Sequence, residues 1–180
     1  MCTKTDSQEI TKISYYAHCT KESVRYNDTD RQGHVNNAVF VTFLEAGRVS
    51  LLYIPKERAL TPEATSFVLA NLVLNFRAEI LWPSEVRIGT TVSRMGNSSV
   101  TFSLALFVGD NCVATAQTVL VLVDDATRKS RSLPDQMRQE LKKWRHRNGV
   151  FVTFREDGFT AVAAFAPATV RCLRGRTWPA

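Results

Sequence analysis

Apolar positions along this chain change their period twice. From Ile10 to Tyr26 the apolar and aromatic residues are Ile10, Ile13, Tyr15, Tyr16, Val24 and Tyr26. They suggest an extended segment interrupted around His18-Cys19-Thr20-Lys21. From Ala38 to Tyr53 the spacing becomes helical. Val39, Phe40, Phe43, Leu44, Gly47 and Leu51 cover a broad apolar face, leaving Thr42, Glu45 and Arg48 on another. This predicts a helix of about 16 residues, capped by Asn36 or Asn37 and ended by Pro55. A face so broad implies a helix wrapped by something large. Gly47 in mid-helix costs roughly 1 kcal/mol relative to alanine, which implies close approach of another backbone.

After a polar connection, Lys56 to Thr65, the period falls to two. Phe67 to Ile80 is a long extended segment with Leu72, Leu74 and Phe76 on one face. Val86, Ile88, Thr90 and Val92 alternate in the next. Val100, Phe102, Leu104, Leu106 and Val108 alternate against Ser99, Thr101, Ser103 and Ala105, and Val113 to Val123 reads as a central strand. The separators Trp82-Pro83-Ser84, Met95-Gly96-Asn97-Ser98 and Gly109-Asp110-Asn111 carry hairpin turn chemistry. A short helix is expected from Leu133-Pro134 to about Trp144. The prediction is therefore α+β: one strand, one central helix, then four antiparallel strands curled around that helix to bury both apolar surfaces.

Residues 1–146 are read as one domain, which 180 residues allow. Met1 to Glu9 is polar and expected to fray. Residues 147–180 change character: no lysine follows Lys143, and arginine and alanine become common. This basic C-terminal tail is left open as an added hairpin or an extension.

Charge alters the picture little. The net charge is +6, but six arginines against two acids fall from Arg145 onward, so the body is close to neutral. No nucleic-acid motif accompanies the excess, and a nucleic-acid partner is not expected. No apolar run approaches the ~20 residues of a membrane span, and the N-terminal residues lack the apolar core of a secretory signal. A cytoplasmic location is expected, with Cys2, Cys19, Cys112 and Cys172 as reduced thiols. Their spacing gives no metal pattern, so neither metal nor cofactor is anticipated. His18 has no partner at suggestive spacing and is read as a surface or structural residue.

The chemistry concentrates between the first strand and the helix. Asn27-Asp28-Thr29-Asp30-Arg31-Gln32-Gly33-His34-Val35-Asn36 holds two acids, a glycine, a histidine and two asparagines, with Val35 alone apolar. A carboxylate and an imidazole thus precede a helix N-terminus, where free N–H groups and the positive dipole end lie. Such an end can hold a developing oxyanion. Asp28 is expected to bond the loop backbone in an Asx-type turn. Gly33 provides a position without a Cβ.

The run Asp28-Thr29-Asp30-x-x-Gly33-His34-Val35-Asn36-Asn37-Ala38-x-Phe40-x-x-Phe43-Leu44-Glu45 resembles the signature of hotdog-fold acyl-CoA thioesterases of the 4-hydroxybenzoyl-CoA type. Plant acyl-carrier-protein thioesterases share much of it. The similarity extends through Gly96-Asn97-Ser98-Ser99 to Asp124, Thr127 and Leu133-Pro134, over about residues 10 to 144. The resemblance implies a hotdog fold, a homodimer or homotetramer whose sheets join edge to edge, and a site at that interface with a tunnel for the acyl chain. It implies hydrolysis of an acyl-CoA or acyl-carrier-protein thioester, in fatty acid metabolism.

By the same resemblance Asp30 carries the chemistry, as nucleophile or general base; both remain open. Asn37 donates its backbone N–H to the oxyanion. His34 matches a catalytic histidine of the plant enzymes, but Gln32 stands where those have asparagine, and catalysis, substrate orientation and loop packing all fit it. Glu45 is the runner-up carboxylate and is expected to pair with Arg48 or loop groups. Phe40 occupies a position more often tyrosine. Asn36, Phe40, Ser98, Ser99 and Arg94 are the expected substrate-binding residues, with Arg128 and Lys129 as further phosphate contacts. Two alternatives stand beside hydrolysis: a non-catalytic acyl-thioester-binding hotdog protein, and a 3-hydroxyacyl-thioester dehydratase with His34 as base.

Overall fold

The computed structural model describes residues 9–53 and 61–145, with the backbone of 151–155 and 158–162. Cys2, Cys172, Pro55, the first half of the Lys56–Thr65 connection and most of the tail lie outside the described residues. Five strands form one antiparallel sheet: β1 (His18–Ser23), β2 (Thr65–Phe76), β3 (Glu85–Met95), β4 (Ser99–Val108) and β5 (Asn111–Asp124), in the order β1-β3-β4-β5-β2. Helix α1 (Asn37–Leu52) lies against the sheet, and α2 (Asp135–Lys142) follows it. The backbone of β6 (Phe151–Arg155) and β7 (Gly158–Val162) forms a separate antiparallel hairpin. This is the hotdog architecture, a sheet curled around one helix.

Helix α1 buries Phe40, Phe43, Leu44, Gly47, Leu51 and Leu52 in a core completed by Ile88, Val92, Phe102, Leu104, Leu106 and Ala116 of the sheet. Gly47 marks the closest approach. A Cβ there would meet Ile88 Cγ2 at 2.6 Å and Thr90 Oγ1 at 2.8 Å. The intruding groups are side chains of β3 rather than the backbone that the sequence suggested.

The first strand departs from expectation. It lies on His18–Ser23, the stretch read as an interruption, while Ile13–Tyr15 forms a 3-10 turn. The reason is that the aromatic residues serve the other face of the sheet. Tyr15 and Tyr16 pack with Ile10, Ala105 and Phe107. The Tyr16 ring lies over Gly89, where a Cβ would meet ring carbons at 2.5 Å, and its hydroxyl donates to Ile10 O at 2.8 Å. β1 itself is an edge strand of half-buried and exposed alternation, so it needs few large apolar residues.

The strand ends define two poles. Ser23 pairs with Glu85, Val86 with Val108, Val108 with Asn111, and Phe76 with Ala114, all at one pole. Met95, Ser99, Asp124 and Thr65 gather at the other. At about 3.3 Å per residue, the ten-residue β4 separates the poles by roughly 30 Å. No helix among the described residues is long and apolar enough to cross a membrane.

Candidate active site

The loop between β1 and α1 starts at the first pole and is tied down along its length. Val24 N–H donates to Ser84 O at 2.9 Å. A 3-10 turn, Tyr26–Asp28, follows, with Asp28 Oδ2 accepting from Arg25 N–H at 2.7 Å. Val35 N–H donates to Ile80 O and Asn36 N–H to Asp28 O, both at 2.8 Å. Val35, the apolar residue of the stretch, is buried and anchors it to the core.

Between these anchors, Asp30 to His34 closes a tight turn. Asp30 N–H donates to His34 O at 2.8 Å, and Gly33 N–H to Asp30 O at 3.1 Å. Gly33 has φ +86°, in the left-handed region, with open space where a Cβ would stand. Its requirement for glycine is therefore conformational. Asp30 Oδ1 accepts from Gln32 N–H at 2.8 Å and from His34 N–H at 3.2 Å. The Asx turn expected of Asp28 is thus made by Asp30. Among the described residues Asp30 Oδ2 has no hydrogen-bond partner, and the carboxylate is exposed. One oxygen fixes the loop and the other is open for chemistry.

Asn36 is the N-cap of α1, its side-chain oxygen accepting from Ala38 N–H at 2.9 Å. Val39 N–H is taken by Asn36 O. Asn37, the first helical residue, is exposed, and its N–H donates to no described group. Phe40 is buried and meets Phe76, at the end of β2, edge to face with ring centroids 5.1 Å apart. Phe76 itself is half exposed.

The neighbours of two histidines, His18 and His34, escape the sequence. Glu79 Oε2 lies 3.2 Å from His34 Nε2, brought there by the antiparallel bridge between His34 and Leu81. The two residues are 45 positions apart, so no local spacing could signal the pair. Arg48, expected on a polar face, is only 4% exposed, and its Nη1 has no hydrogen-bond partner. Burial lowers its pKa, opposed by the charge of Glu45. Glu45 is exposed and acts on Arg48 through its charge. His18 Nε2 lies 2.8 Å from Ser50 Oγ, whose hydroxyl donates to Gly47 O, so His18 is the donor to Ser50. Its ring meets Trp144 edge to face, and burial lowers its pKa.

Within one chain the expected substrate contacts do not converge. Asp30, Gly33, His34, Asn36, Asn37 and Phe40 share the first pole. Ser98, Ser99 and Arg94 sit at the other, about 30 Å along the sheet. The turn that carries the serines is held rigidly: Arg138 donates to Gly96 O at 2.9 Å and Asn97 O at 2.6 Å, and Leu122 N–H to Ser98 O at 2.8 Å. Arg128 and Lys129 lie beside it in a turn organised by Asp124, whose pKa is lowered by hydrogen bonds from the Thr127 N–H and hydroxyl.

A sheet wrapped around a helix, with an acid-bearing loop at that helix's start, defines a thioesterase-type hotdog. Residues 24–141 match the thioesterase-like superfamily, and the chain belongs to it. The acyl-CoA thioester hydrolase YbgC of Escherichia coli is 28% identical over 123 residues, 67% of this chain and 92% of that one. Among solved structures, PA5185 of Pseudomonas aeruginosa superposes with a TM-score of 0.69 at 25% identity, covering 76% of this chain and 96% of that one. A Thermus thermophilus thioesterase complexed with coenzyme A and zinc gives 0.62 at 26% identity, covering 71% and 98%.

Proposed function

We propose that the chain hydrolyses acyl-CoA thioesters to the free acid and thiol, with Asp30 acting on the carbonyl at the start of α1. The observation that carries this reading is the division of labour in Asp30: Oδ1 is committed to the loop, while Oδ2 is open on the segment that leads to an unpartnered Asn37 N–H. A thioester carbonyl placed between them has an attacking oxygen, or a base for water, on one side. On the other it has an N–H at the positive end of a helix dipole to hold the oxyanion. Gly33 holds the turn that aims Asp30, and Asn36 caps the helix that aims Asn37. The likeness to an acyl-CoA thioester hydrolase supports coenzyme A as carrier; an acyl carrier protein is the competing carrier.

The site is completed by a second copy of the chain. β2 is an edge strand, with Val68, Leu69 and Phe76 exposed by 37, 42 and 51%. An unpaired apolar edge favours pairing with another strand. Two-fold antiparallel pairing along β2 sets the partner's far pole beside this chain's Phe76. That geometry delivers a second set of Ser98, Ser99, Arg94, Arg128 and Lys129 toward the Asp30 loop, for the pantetheine arm and the phosphates. Phe40, beneath Phe76, then backs the acyl channel. A cytoplasmic location and a role in fatty acid metabolism fit a coenzyme A ester as substrate.

Thiol release from acyl-CoA esters of graded chain length, aliphatic and aromatic, tests the reading. A thioesterase releases thiol from at least one class. A binding protein changes tryptophan fluorescence on adding ester but releases none, and a dehydratase forms an enoyl ester without thiol. Comparing the same acyl group on a carrier protein distinguishes the carriers.

A further inference from the structure

We propose that His34, positioned by Glu79, is the proton donor to the departing thiol. This inference rests on the thioesterase reading above and adds the second half of its chemistry. Asp30 accounts for attack on the carbonyl; nothing in that account protonates the sulfur that leaves.

The geometry divides the imidazole as it divides the Asp30 carboxylate. Nε2 faces Glu79 Oε2 at 3.2 Å. An ionised carboxylate only accepts hydrogen bonds, so Nε2 carries hydrogen. The proton that can leave is therefore the one on Nδ1, the usual consequence of one ring nitrogen being fixed by a carboxylate. Nδ1 has no hydrogen-bond partner among the described residues, and the side chain is 37% exposed. Its backbone is fixed from both sides, by Asp30 through the His34 N–H and carbonyl and by the bridge to Leu81. The ring thus stands on the same turn as the attacking carboxylate, oriented by a residue from the far side of the fold. Glu79 touches no reacting atom and is a positioning residue.

The step balances as follows. When the tetrahedral intermediate collapses, the carbon–sulfur bond breaks and its electron pair goes to sulfur. The Nδ1 proton of imidazolium His34 passes to that sulfur, giving free thiol and neutral histidine with Nε2–H still held by Glu79. If Asp30 has attacked directly, the acyl group is then an anhydride on Asp30. Water adds to its acyl carbon, one water proton returns to Nδ1, and carboxylic acid and Asp30 carboxylate are released. If Asp30 has instead activated water, it passes the water proton back to Nδ1. Either way one water is consumed and both side chains are restored.

A leaving-group comparison tests this. An alkyl thiolate such as that of coenzyme A is the more basic leaving group and gains more from a proton donor than a thiophenolate does. Thiol release is measured for the wild-type chain, His34→Gln, Glu79→Gln and the double variant, on the coenzyme A ester and the thiophenyl ester of one acyl group. His34→Gln is expected to lower kcat on the coenzyme A ester by roughly 100-fold, and Glu79→Gln by about tenfold. Both losses shrink to a few-fold on the thiophenyl ester. The double variant is no slower than His34→Gln alone, and Glu79→Asp recovers part of the loss. Equal losses on the two esters, or additive effects in the double variant, overturn the assignment. Thermal melting of each variant identifies a folding defect, which lowers both esters alike and counts against the proposal. Failure of the wild-type chain to hydrolyse any ester removes the thioesterase reading and this inference together. Hydrolysis by the wild-type chain, with losses in the His34 and Glu79 variants that are the same on both esters, removes this inference only.

Discussion

Asp30 and His34 are bonded to each other in both directions: Asp30 N–H donates to His34 O at 2.8 Å, and His34 N–H donates to Asp30 Oδ1 at 3.2 Å. The acid and the backbone that carries the imidazole are therefore one unit rather than two residues on an open loop. Gly33 makes the unit possible, because the turn needs φ +86° at that point.

Gly33→Ala tests that unit. Nothing lies within 4 Å of the added Cβ, so the cost is backbone strain of about 1–2 kcal/mol. Denaturant unfolding reads the strain directly. Relaxing the turn also re-aims Asp30, so kcat falls by more than KM changes.

Gly47→Ala probes packing instead. Alanine gains about 1 kcal/mol in helix propensity, but its Cβ meets Ile88 Cγ2 at 2.6 Å and Thr90 Oγ1 at 2.8 Å. Overpacking of this kind costs about 1–3 kcal/mol. Both neighbours are fully buried on a central strand and cannot swing aside. Net destabilisation is expected in urea unfolding; a more stable variant would show that β3 yields.

How much of this was legible follows from which contacts are local. The loop from Asp28 to Asn37, the 16-residue helix and the four alternating strands were readable, since period and capping chemistry are written in neighbouring positions. The β1 boundary is hidden because Tyr15 and Tyr16 carry the apolar signal of a strand while covering the opposite sheet face. The burial of Arg48 is hidden as well, because a single charged residue on a helix reads as solvated whatever packs over it. Glu79 and Ser50 are invisible for a different reason: each meets its histidine only through tertiary structure, Glu79 by the bridge between His34 and Leu81 and Ser50 by the packing of α1 on β1.

His18 makes stability depend on pH. Its pKa is lowered from 6.5 by burial, so the folded state binds its proton less readily than the unfolded chain. The unfolded chain then holds more protons below about pH 6.5, and stability falls with decreasing pH until the folded value is passed. Above pH 7 both states are neutral and the effect vanishes. Melting temperatures from pH 5 to 8 should show this slope in the wild-type chain and a shallower one in His18→Gln.

The β2 edge carries the proposed assembly. Leu69→Lys places a charge on the exposed edge, a substitution that blocks strand pairing. The expected outcome is a monomer by sedimentation velocity, with the fold retained by circular dichroism and thiol release lost. An active monomer would mean that one chain supplies the whole site.

Asp30→Asn is the most direct measurement. The amide oxygen can still accept from Gln32 N–H and His34 N–H, so the turn survives, while the attacking or basic oxygen is removed. Single-turnover thiol release from the best acyl-CoA substrate is expected to fall by at least 100-fold, with the melting temperature and ester binding little changed. Turnover within a few-fold of the wild-type chain would contradict the assignment of the chemistry to this carboxylate.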